Sequence, residues 1–201
     1  MVVRKNLEKK FVLISVYDKK KLNFLCSNLE HYNYSFISSG STASKIRSMG
    51  FKCVDISKVT KFKEMFDGRV KTLNSLIYSS LLHIRSNAIH RKQFLSLKIP
   101  EIDIVVVNLY PFEKNFKKNK KKNIVELIDI GGSSLLRAAG KNFEYITPII
   151  DIEDYPKLIN NLKKNKGTTD ILFRKEMAAK IYRETSRYDK IISNWFNVSN
   201  K

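Results

Sequence analysis

The sequence predicts an α/β fold with three layers, α/β/α, around a central and mainly parallel sheet closed by C-terminal helices. Three observations carry that expectation. Apolar runs of strand length recur up to ITPII, and several are followed at once by segments with helical spacing. One of them, IDIVVVNLY (Ile102 to Tyr110), is apolar without alternation and so belongs at the centre of a parallel sheet, covered on both faces. From about Thr168 the pattern becomes helical, with Met177, Ile181, Thr185, Tyr188, Ile192 and Trp195 stepping by three or four.

The elements follow in order. FVLISVY (Phe11 to Tyr17) is a strand, and DKKKLNFLCSNLEHY behind it is a helix through Leu22, Leu25 and Leu29. The unit repeats as the strand YSFISS, the helix STASKIRSMG and the short strand KCVDI. After IDIVVVNLY comes LIDIGGSSLLRAAGKN (Leu127 to Asn142), where a glycine pair lets the backbone turn sharply and a helix starts at Ser133 or Ser134. Arg137 and Lys141 lie on one face of that helix. ITPII is the next strand, and one or two long helices then close the domain or make a dimer contact. Residues 1–10 read as a basic lead and 11–201 as a single domain.

At 201 residues, 43% hydrophobic and 28% charged, the chain suits one globular domain with a real core. No apolar run approaches the ~18 residues needed to span a membrane, and the basic start lacks a cleavage site, so a cytoplasmic protein is expected. Cys26 and Cys53 form neither a CxxC pair nor a metal quartet and read as buried free thiols. His31, His83 and His90 are scattered, and no metal is expected. The net charge of +19 invites a nucleic-acid partner. Many of the cations, however, are lysines interleaved with asparagine and isoleucine. The run KNFKKNKKKN (Lys114 to Asn123) carries one aromatic, Phe116, where single-strand binders stack bases on several. It reads as a solvated loop, and no specific nucleic acid is expected.

In open parallel sheets, ligands collect at the carboxyl ends of strands. Polar clusters fall there: SVYDKK, SSGST (Ser38 to Thr42), NLYPF (Asn108 to Phe112) and the GGSS turn, with FDGRVKTLN (Phe66 to Asn74) in a loop of its own. SSGST before a helix makes a phosphate cradle, although serine and glycine also make ordinary turns. Arg69, Lys71 and Thr72 suit a phosphate monoester, or are solvated surface charge. Asn108 and Tyr110 put an amide and a phenol at the end of a buried strand, where a tyrosine can also simply cap the core. Convergence of all five on one sheet edge favours a binding site.

In this order, SVxDK, SxGxT, DGRVKTL, NLYPF, IDIGG and RAAxKN resemble the IMP cyclohydrolase domain of bifunctional purine biosynthesis proteins, from about Phe11 to Phe196. DGRVKTL and IDIGG are specific to it; SxGxT is shared by the wider methylglyoxal-synthase-like group. The resemblance implies a methylglyoxal-synthase-like fold and a homodimer. It implies dehydrative ring closure of 5-formamidoimidazole-4-carboxamide ribonucleotide to IMP, without cofactor or metal. It assigns Lys71 and Tyr110 to the carboxamide, and Asp129 and Lys141 to the formyl group, with Lys141 as proton donor and acceptor. The Ile130 backbone, beside Gly131, faces the oxyanion. The phosphate falls to Tyr17, Asp18 and Lys19, to Ser39, Gly40, Ser41 and Thr42, and to Arg69, Val70 and Thr72, while Val107 and Asn108 hold the base or ribose.

Three departures concern substrate affinity. Tyr17 stands where the family has serine, Ser41 where it has glycine, and Asn74 and Ser75 where it has histidine and proline. The chain has no room for a formyltransferase domain, so it is free-standing, a cut-down version, or the N-terminal piece of a longer protein with a fused or separate formyltransferase as partner. Two other functions fit the same fold. Methylglyoxal synthase needs a carboxylate base beside the phosphate loop, for which Asp67 is available, but it leaves GRVKTL and IDIGG without purpose. A silent purine-nucleotide-binding module fits the departures.

Overall fold

The computed structural model describes residues 9–113 and 124–198. The lysine-rich segment and nearly all of the basic lead lie outside the described residues. Among the described residues, five strands form one all-parallel sheet in the order β3-β2-β1-β4-β5. They are β1 (Lys10–Val16), β2 (Tyr34–Ser38), β3 (Cys53–Asp55), β4 (Ile102–Asn108) and β5 (Thr147–Ile149). The apolar strand β4 is interior, as its composition demands, but the middle position belongs to β1, and β4 lies between β1 and β5.

The pleat divides the core in two. Val12, Ile14 and Val16 of β1 face one cluster with Phe36, Ile104 and Val106, while Leu13 faces the other with Ile37, Val105 and Val107. Register slips between Phe11 and Val12, which pair with Ile102 and Ile104. Asp103 is the extra residue, and its carboxylate accepts the Phe11 amide at 3.0 Å.

Helices cover both faces. α1 (Leu22–His31) buries Leu22, Leu25, Cys26 and Leu29, the expected apolar stripe. α2 (Gly40–Ser48) follows β2 after one residue, and α3 (Ile56–Thr60) follows β3 directly. α4 (Ser75–Leu82) and α5 (Ala88–Leu97) precede β4, each capped by an asparagine side chain: Asn74 accepts the Leu76 amide, and Asn87 the Ile89 and His90 amides. α6 (Ile130–Lys141) packs Leu135, Leu136 and Ala139 into the second cluster. α7 (Tyr155–Lys164) lies on the first.

The tail is one helix, α8 (Ile171–Val198), of 28 residues. Phe173 and Met177 enter the first cluster and Ile181 the second, so the helix closes the sheet beside β5 by touching both cores. Asp170 accepts the Phe173 amide at 2.8 Å, and Lys180 reaches the buried Asp154 at 2.5 Å and Asp151 at 3.2 Å.

Two sequence expectations need correction. α6 starts at Ile130 rather than at Ser133 or Ser134, because the Asp129 side chain caps it and draws the glycine pair into the first turn. Cys26 is buried as expected, but Cys53, on the edge strand β3, is only half-buried. Both thiols are free, and burial pushes Cys26 up to about 12 and Cys53 up to about 11.

Candidate active site

A cavity of about 860 Å³ opens at the carboxyl edge of the sheet. The ends of β1 and β4, Ser39 just after β2, the N-termini of α2 and α6, and the loop between α3 and α4 line it. That loop turns back on itself through an antiparallel bridge between Met65 and Val70, with Phe66, Asp67 and Gly68 all at positive φ. The turn carries Arg69, Lys71 and Thr72 to the cavity wall.

At the β2–α2 junction, Ser39 caps the helix in extended geometry and makes no capping bond with its own hydroxyl. The first amides of α2 have no partners within the helix and carry partial positive charge, so the junction suits an anion. Gly40 has φ +50, and a Cβ there would lie 2.5 Å from the Lys71 ammonium. The missing side chain is what lets Lys71 approach the backbone. Ser41 lies within the helix and needs no positive φ, so its departure from glycine costs the backbone nothing. Thr42 is committed elsewhere: its hydroxyl donates to the Val16 carbonyl (3.0 Å) and accepts the Val16 amide (3.3 Å), tying α2 to the end of β1.

Asn108 is likewise occupied. Its Oδ1 accepts the amides of Tyr17 (2.7 Å) and Asp18 (2.9 Å), and its Nδ2 donates to the Asp18 carbonyl (2.9 Å). The side-chain amide thus shapes the loop after β1 rather than projecting at a ligand. Lys19 folds over the same loop, onto the carbonyls of Val16 (3.4 Å) and Tyr17 (3.3 Å). Tyr17 meets Tyr110 edge-on, with ring centroids 5.4 Å apart and planes at 82°. Burial, then the charges of Asp129 and Tyr17, raise the Tyr110 phenol above its ordinary value, so it remains a neutral donor at neutral pH.

At the mouth of α6, Asp129 Oδ1 accepts the Gly132 amide at 2.7 Å. The glycines serve close approach: a Cβ on Gly131 would lie 2.5 Å from the Thr72 hydroxyl, and one on Gly132 would lie 2.4 Å from the Asp129 carboxylate. Burial raises the Asp129 carboxyl and the Gly132 bond partly offsets it. A carboxylate of raised basicity beside a phenol can take and return a proton.

Of the residues expected from sequence, Tyr17, Lys19, Ser39, Ser41, Thr42, Arg69, Lys71, Thr72, Asn108, Tyr110, Asp129, Ile130 and Gly131 line this cavity. Asp18, Gly40, Val70 and Val107 stand beside it without lining it. Lys141 is apart: it ends α6, exposed, 11 residues from Ile130, or about 17 Å along the axis. Within one chain it does not meet Asp129.

Sequence alone misses two carboxylates. Glu64 pairs with Lys71 at 2.7 Å, and Glu126 pairs through both oxygens with Arg69. Each matches a cation far off in sequence or in an unpatterned loop, so only the folded chain reveals it. The Glu126 pair is solvent-exposed; it raises Arg69 and lowers Glu126.

The chain matches the family model of the MGS-like domain over residues 21–134 and that of the AICARFT/IMPCHase bienzyme over residues 139–201. It is 42% identical to the bifunctional purine biosynthesis protein PurH of Magnetococcus marinus over 94% of this chain and 36% of that protein. The PurH of Clostridium botulinum (strain Hall) is 44% identical over 92% of this chain and 37% of its own length. The chain thus spans about a third of these relatives. The crystal structure of ForH superposes with a TM-score of 0.81 at 26% identity, covering 93% of this chain and 98% of ForH. Sheet order, the cavity at the strand ends and the match over most of the chain agree: the chain belongs to the MGS-like domain family.

Proposed function

We propose that this chain is an IMP cyclohydrolase, closing the ring of 5-formamidoimidazole-4-carboxamide ribonucleotide with loss of water, the last step of de novo purine biosynthesis. The observation that carries the reading is the convergence of Lys71, Tyr110 and Asp129 with two helix N-termini on one cavity. The match to the bienzyme model and the PurH relatives support it further.

The 5′-phosphate sits on the amides of α2, with Ser39, Ser41, Arg69 and Thr72 around it. The reacting atoms then lie toward α6. The carboxamide nitrogen attacks the formyl carbon; one of its protons moves to the formyl oxygen, giving a carbinolamine. That hydroxyl leaves as water with the formamido N–H proton, and the C=N bond of the purine forms. An amide nitrogen is a poor nucleophile, so the main tasks are orientation and charge. Lys71 and Tyr110 stabilise the imidate-like carboxamide, Asp129 handles the moving proton, and the Ile130 amide at the mouth of α6 faces the developing oxyanion. No step requires a metal or a cofactor.

Lys141 joins this chemistry only if a second copy brings it, since its own helix holds it about 18 Å from Asp129 along the axis. A cytoplasmic homodimer that exchanges Lys141 between copies is therefore part of the proposal, as is a formyltransferase, fused or separate, that supplies the substrate. The test is chromatographic: the purified chain, given the formylated ribonucleotide, yields a product that co-elutes with authentic IMP. Binding of IMP without conversion of the substrate would leave a silent nucleotide-binding module instead.

A further inference from the structure

Tyr188 of α8 places its hydroxyl in the segment that leads into α6. The hydroxyl donates to the Leu127 carbonyl at 2.9 Å and accepts the Asp129 amide at 3.0 Å. The Asp129 amide precedes the first turn of α6 and has no helical partner, so the phenol supplies it. On its other side the Tyr188 ring meets Phe112 edge-on, centroids 6.5 Å apart. Phe112 is 1% exposed and follows Tyr110 by two residues. One aromatic side chain therefore braces two of the groups assigned to the chemistry: the Leu127–Asp129 backbone by two hydrogen bonds, one of them from the Asp129 amide itself, and the Tyr110 segment by packing. Its own phenol, pushed up by burial to about 12, stays protonated and able to donate. Tyr188 also bridges the two family matches, since α8 falls within residues 139–201 and Asp129 within 21–134.

We propose that Tyr188 is a positioning residue for Asp129, fixing the backbone from Leu127 to Asp129 so that the carboxylate stands at the reacting atoms. The inference rests on the cyclohydrolase reading for its catalytic half alone. A shift of a reacting group by a fraction of an ångström is enough to cost turnover while ground-state binding, held by the phosphate loop at the N-terminus of α2, is untouched.

The test is Tyr188→Phe, which keeps the ring and its packing, beside Tyr182→Phe as control. Tyr182 lies on the same helix, and its hydroxyl donates to the Arg137 carbonyl at 3.3 Å, away from the cavity. Tyr188→Phe is expected to lower kcat by about tenfold or more with KM within about twofold, and Tyr182→Phe to change neither. Amide hydrogen exchange at Asp129 is expected to rise in Tyr188→Phe only. Wild-type kcat in Tyr188→Phe, or unchanged exchange at Asp129, overturns the proposal. Should the wild-type chain itself form no IMP, the cyclohydrolase reading fails instead, and the exchange measurement still decides whether Tyr188 holds Asp129.

Discussion

Gly131 and Gly132 are present for what stands beside them, and that makes them sharp probes of the site. Both have ordinary helical backbone, where alanine gains about 1 kcal/mol of helix propensity over glycine. A methyl on Gly132 would nevertheless collide with the Asp129 carboxylate that accepts its amide. Gly132→Ala is therefore expected to leave the melting temperature nearly unchanged while turnover falls by about tenfold or more; loss of both together would mean the glycine is needed for folding alone. Lys71→Ala is expected to lower kcat about a hundredfold, as removal of one aimed electrostatic group does, with circular dichroism unaltered. The pH profile belongs to Asp129, whose folded value is raised above the ordinary 3.8 by burial. Its ionised form is lost earlier as pH falls, so the acid limb of kcat should lie above that of an ordinary aspartate and disappear in Asp129→Asn. That Lys71, Tyr110 and Asp129 line one cavity was legible because their motifs are distinctive. What Thr42 and Asn108 do was not: hydroxyl and amide are used up on Val16 and on the Tyr17 loop, partners 26 and 91 residues away.

At the scale of elements, legibility followed the length and contrast of the pattern except at α7, whose buried stripe of Tyr155, Leu158 and Leu162 went unread ahead of the longer tail helix. All five strands and the helices α1, α2, α6 and α8 announce themselves through clean apolar stripes or continuous apolar runs. α4 and α5 do not. SLIYSSLL is short and apolar on several sides, and α5 buries only Phe94, so neither has a stripe to read; both depend on asparagine caps. The start of α6 was displaced by three or four residues because a glycine pair reads as a turn, whereas the Asp129 side chain, capping the Gly132 amide three residues ahead, draws the pair into the first helical turn. α8 offers a test of capping. Asp170 accepts the Phe173 amide and is lowered by that bond first and by Asn161 next. Its contribution to stability is present above the unfolded pKa and lost as pH falls through the lower folded one. Asp170→Ala should then cost about 1 kcal/mol at neutral pH, read by urea denaturation, and the deficit should vanish in strong acid. A deficit that persists in acid would point to lost packing rather than a lost cap.

For the whole molecule, the charge of +19 and the position of Lys141 matter most. If the charge is background composition, duplex DNA binds weakly and without sequence preference, and binding collapses between low and physiological salt; tight, salt-resistant binding to one sequence would contradict that. The position of Lys141 ties catalysis to assembly. Mixed oligomers of Asp129→Asn and Lys141→Met chains should recover activity that neither variant shows alone, because one site in the mixture regains both groups; no recovery would remove Lys141 from the reaction. Beneath both stands the claim that this chain, about a third of its PurH relatives, closes the ring with its own cavity. The most direct measurement is a continuous ultraviolet assay of the purified chain with 5-formamidoimidazole-4-carboxamide ribonucleotide, run beside Asp129→Asn. Steady growth of the purine absorbance is expected with the wild type and a rate lowered about a hundredfold in the variant; equal rates in the two, or none above the uncatalysed background in the wild type, would contradict ring closure by this cavity.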